Sequence, residues 1–445
     1  MSLENFHIAV IGAGPAGLYA AQELANAGAR VALFNRDIKP GGLAEYGIYP
    51  NKLKLKGGLR AQFEKILALP QIEYFGNVTI GAHGALTLSE LLEAGFDAVL
   101  VTVGAQGTKW LDLPGEQLRG VYHAKDLVYY YNRLPPFSGG NFEIGKNIVI
   151  IGVGNVMMDM AHWLVRELRV DTVTAVARRG PAEVKFDKKE FETVGANVDL
   201  VALDAEIARC APFMRAVAQE PDAARQQILA GLPRALPPVS ATRLRFYFLA
   251  SPLELCGDAR GHVAALQIEN TKLVSANSAI KAKGLGTFHE IPCDTVIFAI
   301  GDSIDPQLGL PIASGEFVKN PAPRFPIHRV SYEAFDPQTE QPLEKIFIAG
   351  WARQASDGLV GIARKDGVNA AHAIRAYLET RAATRGVNLA ALKETIQQRG
   401  AVIVANSALR RLVDAERAVA RARQLPEYKF ATNQEMLAAM DLVAK

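Results

Sequence analysis

Five short apolar runs along this chain each end at a glycine, and together they set its plan. The first, His7 to Ile11, passes into Gly12-Ala13-Gly14-Pro15-Ala16-Gly17 and then a helical pattern through Ala27, closed by Gly28. A second strand follows at Arg30 to Phe34, so the segment reads as a β-α-β unit with a glycine turn between its first strand and its helix. The construction returns at Asn147 to Ile151, with Gly152-Val153-Gly154, a helix expected through about Leu168 and a strand at Thr172 to Ala177. Two further runs, Asp97 to Gly104 and Asp294 to Gly301, resemble each other and are unbroken, the pattern of parallel strands covered on both faces. Each is read as the strand that closes one dinucleotide sheet. The fifth run, Lys345 to Ala349 before Gly350-Trp351, comes after the second closing strand, so the chain is expected to have returned to its first domain.

The predicted fold class is therefore α/β, with two Rossmann-like dinucleotide-binding domains, the second inserted in the first. Expected boundaries are 1–105, 106–325 and 326–445, the later one falling in the proline-rich stretch 321–326. The tail from about Asn388 is expected to be mostly helical.

In a G-x-G-x-x-G turn the first glycine makes the tight turn, the second lets backbone approach a pyrophosphate, and the third lets helix and strand pack closely. Gly12, Gly14 and Gly17 fill these places, and the helix that starts at Pro15 offers the N–H groups of its first turn, from Ala16 on, and a positive dipole end to a negative ligand. An acid for the ribose is missing: Asn35 stands there and can still accept a hydrogen bond. In the second loop Gly152 and Gly154 are present, but Met157 takes the third place. After its second strand come Arg178-Arg179-Gly180-Pro181, where an NAD site would offer an acid. Two guanidinium groups there suit a 2′-phosphate, so NADP is favoured over NAD.

Composition changes this picture little. Hydrophobic residues make up 49% and charged residues 21% of the 445, within the ordinary globular range. No apolar run is long enough for a membrane span, and no room for a signal peptide precedes the first strand, so a cytoplasmic protein is expected. A net charge of +3 is too mild for nucleic acid but suits an acidic protein partner. Cys210, Cys256 and Cys293 are far apart, which predicts no disulfide framework, no metal site and no redox dithiol of the thioredoxin reductase kind.

Gly152-x-Gly154-Asn155-Val156-x-x-Asp159, then Arg178-Arg179-Gly180-Pro181-x-x-Val184-x-Phe186-x-x-Lys189-Glu190, and later Gly350-Trp351 with Gly358, resemble the adrenodoxin reductase type of ferredoxin–NADP reductase. The resemblance runs nearly end to end, including Pro426-Glu-Tyr-Lys-Phe and Gln434-Glu435-Met436-Leu437 in the tail. It implies FAD held by the N- and C-terminal parts, NADP in the inserted domain, and hydride transfer between nicotinamide and flavin. Arg178 and Arg179 match the 2′-phosphate ligands of that family. Glu190 and Trp351 match its catalytic positions near nicotinamide and flavin. Gly42-Leu43-x-x-Tyr46-Gly47-Ile48 matches a loop it shares with the small subunit of glutamate synthase. Gly104 joins the cofactor-binding set at the end of its strand. The chain departs from the family at Asn35, where the family has Glu, and at Asn51-Lys52 after Pro50, where it has Asp-His and that histidine's proton-relay role.

FAD can bridge the hydride of NADPH and carriers that accept single electrons. Ala355 to Gly361, with Gly358, Leu359 and Val360, leads into a helix through about Leu378 whose first amides are expected to face the flavin, with Ser356 or Asp357 as the alternative cap. The expected partner is an acidic ferredoxin or flavodoxin-like carrier. It would be steered by Arg209, Arg215, Arg225, Arg234, Arg243 and Arg245 if these are not paired with Glu220, Asp222 and Glu254. An electron-input subunit of a larger complex is the other reading.

Overall fold

The computed structural model describes residues 2–276, 279–354, 360–384 and 386–443. They form two compact units, one of Met1–Thr108, Tyr129–Gly139 and Gly301–Lys445, the other of Lys109–Val128 and Gly140–Ile300. The divisions differ from the expected 105/106 and 325/326. Residues after Gly301 stay with the first unit because Ile304, Leu308, Leu310 and Phe317 pack in one apolar cluster with Ile11, Phe34 and Val99. Tyr129–Gly139 returns to it because Tyr129 and Leu134 pack on Tyr46.

The first unit begins β1 (His7–Ile11), α1 (Pro15–Asn26), β2 (Arg30–Asn35), α2 (Leu43–Tyr46), α3 (Leu53–Leu67), β3 (Ile72–Gly76), and after a one-turn-and-a-half helix β4 (Ala98–Val101). The strand Gln341–Ile348, expected at Lys345 to Ala349, pairs parallel with β4, so the sheet runs Glu333–Asp336, Gln341–Ile348, β4, β1, β2, β3. Only the Glu333–Asp336 edge is antiparallel. Ile8, Ala9, Val10 and Val99 to Val101 are wholly buried, which is why these runs do not alternate with polar residues. Each such Val, Leu or Ile contributes about 1.5–3 kcal/mol by leaving water. Because β2 and β3 lie to one side of β1 and β4 to the other, the order reverses at the β1/β4 crevice, where ligands of such sheets sit.

Helix α1 is held between this sheet and the long helix Val360–Leu378 at distances that only glycine permits. A β-carbon on Gly17 would lie 1.9 Å from the Gly12 carbonyl oxygen, and one on Gly367 would lie 2.1 Å from that of Ala16. The tail carries the expected helices, Leu389–Gln398, Asn406–Ala422 and Asn433–Ala439, and Met436 and Leu437 of the last, with Met440 just after it, join the main core.

The second unit has a five-stranded parallel sheet in the order Val121–His123, Thr295–Phe298, Asn147–Ile151, Thr172–Val176, Arg243–Tyr247. A separate antiparallel sheet of Ala250–Gly257, Val263–Ala276 and Ala279–Pro292 stands beside it in the same unit. The helix expected to run through Leu168 is α-helical over Asn155–His162 and continues as a π-helix over Trp163–Leu168. Among the described residues no helix is long and apolar enough to cross a membrane.

Gly367→Ala should force the long helix away from α1 and cost about 1–3 kcal/mol by overpacking, read as a lowered Tm. An unchanged Tm would mean that the contact of Gly367 with Ala16 is not tight.

Candidate dinucleotide-binding sites

In the first unit the glycine turn is built by backbone contacts. Gly12, at φ +107°, turns the chain so closely past β4 that a β-carbon on it would lie 2.5 Å from the Thr102 carbonyl oxygen. The Thr102 hydroxyl donates to the carbonyls of Ile11 and Gly12 at 3.0 and 2.8 Å and pins the turn. Gly14 differs from its neighbours. It is the N-cap of α1, no side chain caps the helix, and a β-carbon there would meet nothing within 4 Å. The first-turn N–H groups, which have no acceptor inside the helix, thus border open space of the kind a pyrophosphate needs.

Two segments close on this turn. The Gly41 N–H donates to the Ala13 carbonyl at 2.7 Å, and a β-carbon on Gly42, at φ +49°, would sit 3.3 Å from the α-carbon of Gly14. Gly350, at φ +66°, lies so near α1 that its β-carbon would be 2.7 Å from that of Ala16. Its N–H donates to Asp366 at 2.6 Å, and the same carboxylate takes Arg353 at 2.7 Å and the Tyr332 hydroxyl at 3.0 Å. The structure therefore brings together Gly12, Gly14, Pro15, Ala16, Gly17, Gly42 and Gly350. Trp351, half-buried, follows Gly350 in a 3-10 turn, and Gly104, at φ +73°, ends the β4 run. Gly358 and Leu359, with the caps expected at Ser356 and Asp357, lie outside the described residues, while Val360 starts the long helix.

Asn35 is more occupied than its expected ribose role. Its Oδ1 accepts from the Ala13 N–H at 3.0 Å, and its amide donates to the Asp37 and Lys39 carbonyls at 2.7 and 3.1 Å. The side chain thus ties the end of β2 to the glycine turn.

Sequence reasoning named Tyr46 but missed the charged groups packed under the Gly42–Gly47 loop. Tyr46 is buried, 1% exposed, so its ring acts as a floor of the loop, with Lys429 Nζ 4.7 Å from its centre. Glu45 receives Arg60 through two bonds of 2.6 and 2.7 Å, Lys429 at 2.9 Å and Lys39 at 3.5 Å. Burial pushes its carboxyl up, but Lys39, Lys429 and Arg60 together outweigh that and hold it well below the usual carboxylate range. Lys56, 1% exposed, donates to Asn132 Oδ1 at 2.9 Å and the Ile48 carbonyl at 3.3 Å. Burial, helped by the charge of Lys429, brings its pKa down to about 7. An acid inside a glycine-rich loop, Glu45, was the one available signal.

The second unit repeats the turn with different fittings. A β-carbon on Gly152, at φ +125°, would lie 2.3 Å from the Ala299 carbonyl oxygen, and one on Gly154 would meet nothing within 4 Å. The place of Gly17 is filled by fully buried Met157, so helix and strand are kept apart by a side chain. Val156 is exposed on the first turn of the helix. Asn155 is engaged by the protein: it donates to the Asp187 carboxylate at 2.8 Å and accepts the Asp187 N–H at 2.7 Å. That clasp joins the turn to the one-turn helix Lys188–Phe191, which carries Glu190.

Strand register refines the arginine pair. Gly12 donates to the Phe34 carbonyl and Gly152 to that of Val176, so Asn35 corresponds to Ala177 and the arginines stand one and two residues later. No acid occupies the ribose position, and Arg178 and Arg179 are both exposed. Their backbones are fixed: the Leu249 N–H donates to Arg179 at 3.1 Å and the Thr271 hydroxyl to the Arg178 carbonyl at 2.9 Å. Glu190 belongs to this unit and Trp351 to the other.

Two glycine turns, one on a mainly parallel sheet and one on a parallel sheet, define a protein built to hold two dinucleotides. Residues 6–195 match the family of pyridine nucleotide-disulphide oxidoreductases. The chain is 29% identical over 391 residues to the NADPH-ferredoxin reductase FprA of Mycobacterium leprae, covering 81% of each. It is 27% identical over 484 residues to the mitochondrial NADPH:adrenodoxin oxidoreductase of Homo sapiens, covering 97% of this chain and 91% of that one. The solved structure of Mycobacterium tuberculosis FprA in complex with NADPH superposes with a TM-score of 0.80 at 25% identity, over 98% of this chain and 99% of that one. The chain is thus a homologue of the adrenodoxin reductase type of ferredoxin–NADP reductase. Burial pushes the Cys210 and Cys293 thiols up to about 12, and all three cysteines are free.

Gly14→Val should leave the fold intact, since nothing crowds that position, yet fill the open space and yield protein without bound flavin. A yellow variant with unchanged FAD affinity would show that this turn is not the cradle. The Lys56 amine has a folded pKa below its unfolded value, so the unfolded chain binds the extra proton between about pH 7 and pH 10. Wild type should therefore gain stability relative to Lys56→Met as pH rises through that window. Parallel Tm curves for the two proteins would contradict it.

Proposed function

We propose that this chain is an FAD-dependent NADPH reductase that passes electrons to a ferredoxin-type carrier. The observation that carries the reading is the pair of glycine turns with unlike ends: one closed over by the Gly42 loop and Gly350, the other followed by Ala177-Arg178-Arg179. FAD, when bound, supplies the exchange between the two-electron hydride of NADPH and single-electron acceptors. The protein's own part is placement. The α1 amides hold a pyrophosphate, Asn35 keeps the turn in shape, and Arg178 and Arg179 bind a 2′-phosphate through charged forks. Trp351 and Glu190 are assigned to the flavin and nicotinamide ends of the hydride path. The names of the relatives, with NADPH and ferredoxin or adrenodoxin in them, support the same reading.

For the carrier we propose an acidic ferredoxin or flavodoxin. The arginines expected to steer it are fewer than six. Arg209 is held by Glu206 and the Phe248 carbonyl, Arg225 by Asp204, and Arg245 by Asp199, acids other than the three weighed from the sequence. Arg215, Arg234 and Arg243 are in no ion pair among the described residues and are the candidates that remain. A cytoplasmic location belongs to the same proposal, and cell fractionation tests it.

Stopped-flow reduction of the purified yellow protein is the direct test. NADPH should reduce the flavin much faster than NADH at equal concentration. Replacing Arg178 and Arg179 with Ala should weaken NADPH by about 1.5–3 kcal/mol for each charged hydrogen bond lost while changing NADH little. A wild type that prefers NADH, or a double variant that loses both nucleotides equally, would refute the 2′-phosphate assignment.

A further inference from the structure

Helix α2 has four residues, too few to hold itself, yet it carries the loop that closes on Gly14. What holds it comes from the far end of the chain. Lys429, with its side chain 4% exposed, reaches under the loop, pairs with the Glu45 carboxylate at 2.9 Å and donates to the Glu45 and Asn132 carbonyls, both at 3.2 Å. The same tail gives Glu427 to Arg60 at 2.5 Å, and the preceding helix gives Glu416 to Lys39 at 2.6 Å. Further along, the Ala431 carbonyl accepts the Ser138 hydroxyl. Asn132 and Ser138 belong to the segment that re-enters this unit, so Lys429 binds two backbones that no local structure would bring together.

Burying these charges costs solvation that an apolar filling would not, so the arrangement is better explained by the geometry it imposes than by the stability it adds. Lys429 makes all three of its polar contacts to Glu45 and Asn132, and its ammonium lies over Tyr46. We propose that Lys429 is a positioning residue for the flavin site. The C-terminal segment acts as a strap that sets the Gly42–Gly47 loop against the glycine turn, and FAD is retained only while the strap is docked. The inference rests on the reading of the first turn as the FAD cradle.

Lys429→Met keeps the stem and removes the ammonium, leaving Glu45 still paired with Arg60 and Lys39. FAD dissociation is followed by flavin fluorescence after dilution, and the Tm is measured for apoprotein and for FAD-saturated protein. Lys393→Met, which breaks a surface pair with Glu73, serves as control. The Lys429 variant should bind FAD about tenfold more weakly or worse. Its FAD-saturated form should lose more Tm than its apo form, because a weaker ligand adds less stability. Should the Met variant not fold, Lys429→Gln, which keeps a donor under the loop, takes its place with the same expectations. FAD affinity equal to that of wild type, or equal Tm losses in apo and FAD-saturated forms, would overturn the proposal. A wild type that binds no FAD would sink the underlying reading as well, and the unmutated protein alone reveals that case.

Discussion

The close passage of α1 between two backbones is the contact on which the first unit depends. Gly17 lets the helix meet the Gly12 carbonyl, and Gly367 lets the long helix Val360–Leu378 meet Ala16 from the other side. With helix and strand that near, the N-terminus of α1 opens at the crevice between β1 and β4, where the strand order reverses. Gly350 arrives at the same point because its N–H is held by Asp366, which sits one residue before Gly367 in the long helix. One packing constraint thus places the turn, the helix dipole and the Gly350-Trp351 bend together.

The second unit solves a similar problem without that contact. Met157 stands where Gly17 would be, and the turn is braced from outside by the Asn155–Asp187 clasp. Its open glycine and its exposed arginines are retained, which are the features a phosphorylated ligand needs. Backbone position is therefore shared between the two turns, while the residue after the second strand separates them chemically: an amide turned inward in one, guanidinium groups turned to solvent in the other.

Charge is used differently in the two units as well. Arg178 and Arg179 remain exposed, whereas Lys39, Lys56, Arg60 and Lys429 are set around Glu45, Glu416, Glu427 and Asn132. Such a set is strongly directional, since removing one member leaves the remaining buried charges short of a partner.

The sequence by itself determined the parts that depend on neighbours along the chain. Unbroken apolar runs ending in glycine fit strands buried on both faces, and a strand, glycine turn and helix in succession bring Gly12, Gly14 and Gly17, or Gly152 and Gly154, into place locally. Arg178 and Arg179 were legible for the same reason, being fixed by their distance from a strand end. Tertiary structure decided what depends on remote partners. The second boundary moved because Leu308 and Phe317 find apolar partners back in the first unit, and Asn35 turned inward because Ala13 lies across from it. Lys429 meets Glu45 across 384 residues, and no periodicity or spacing records a contact between groups that far apart, because only the closed fold removes water from both at once.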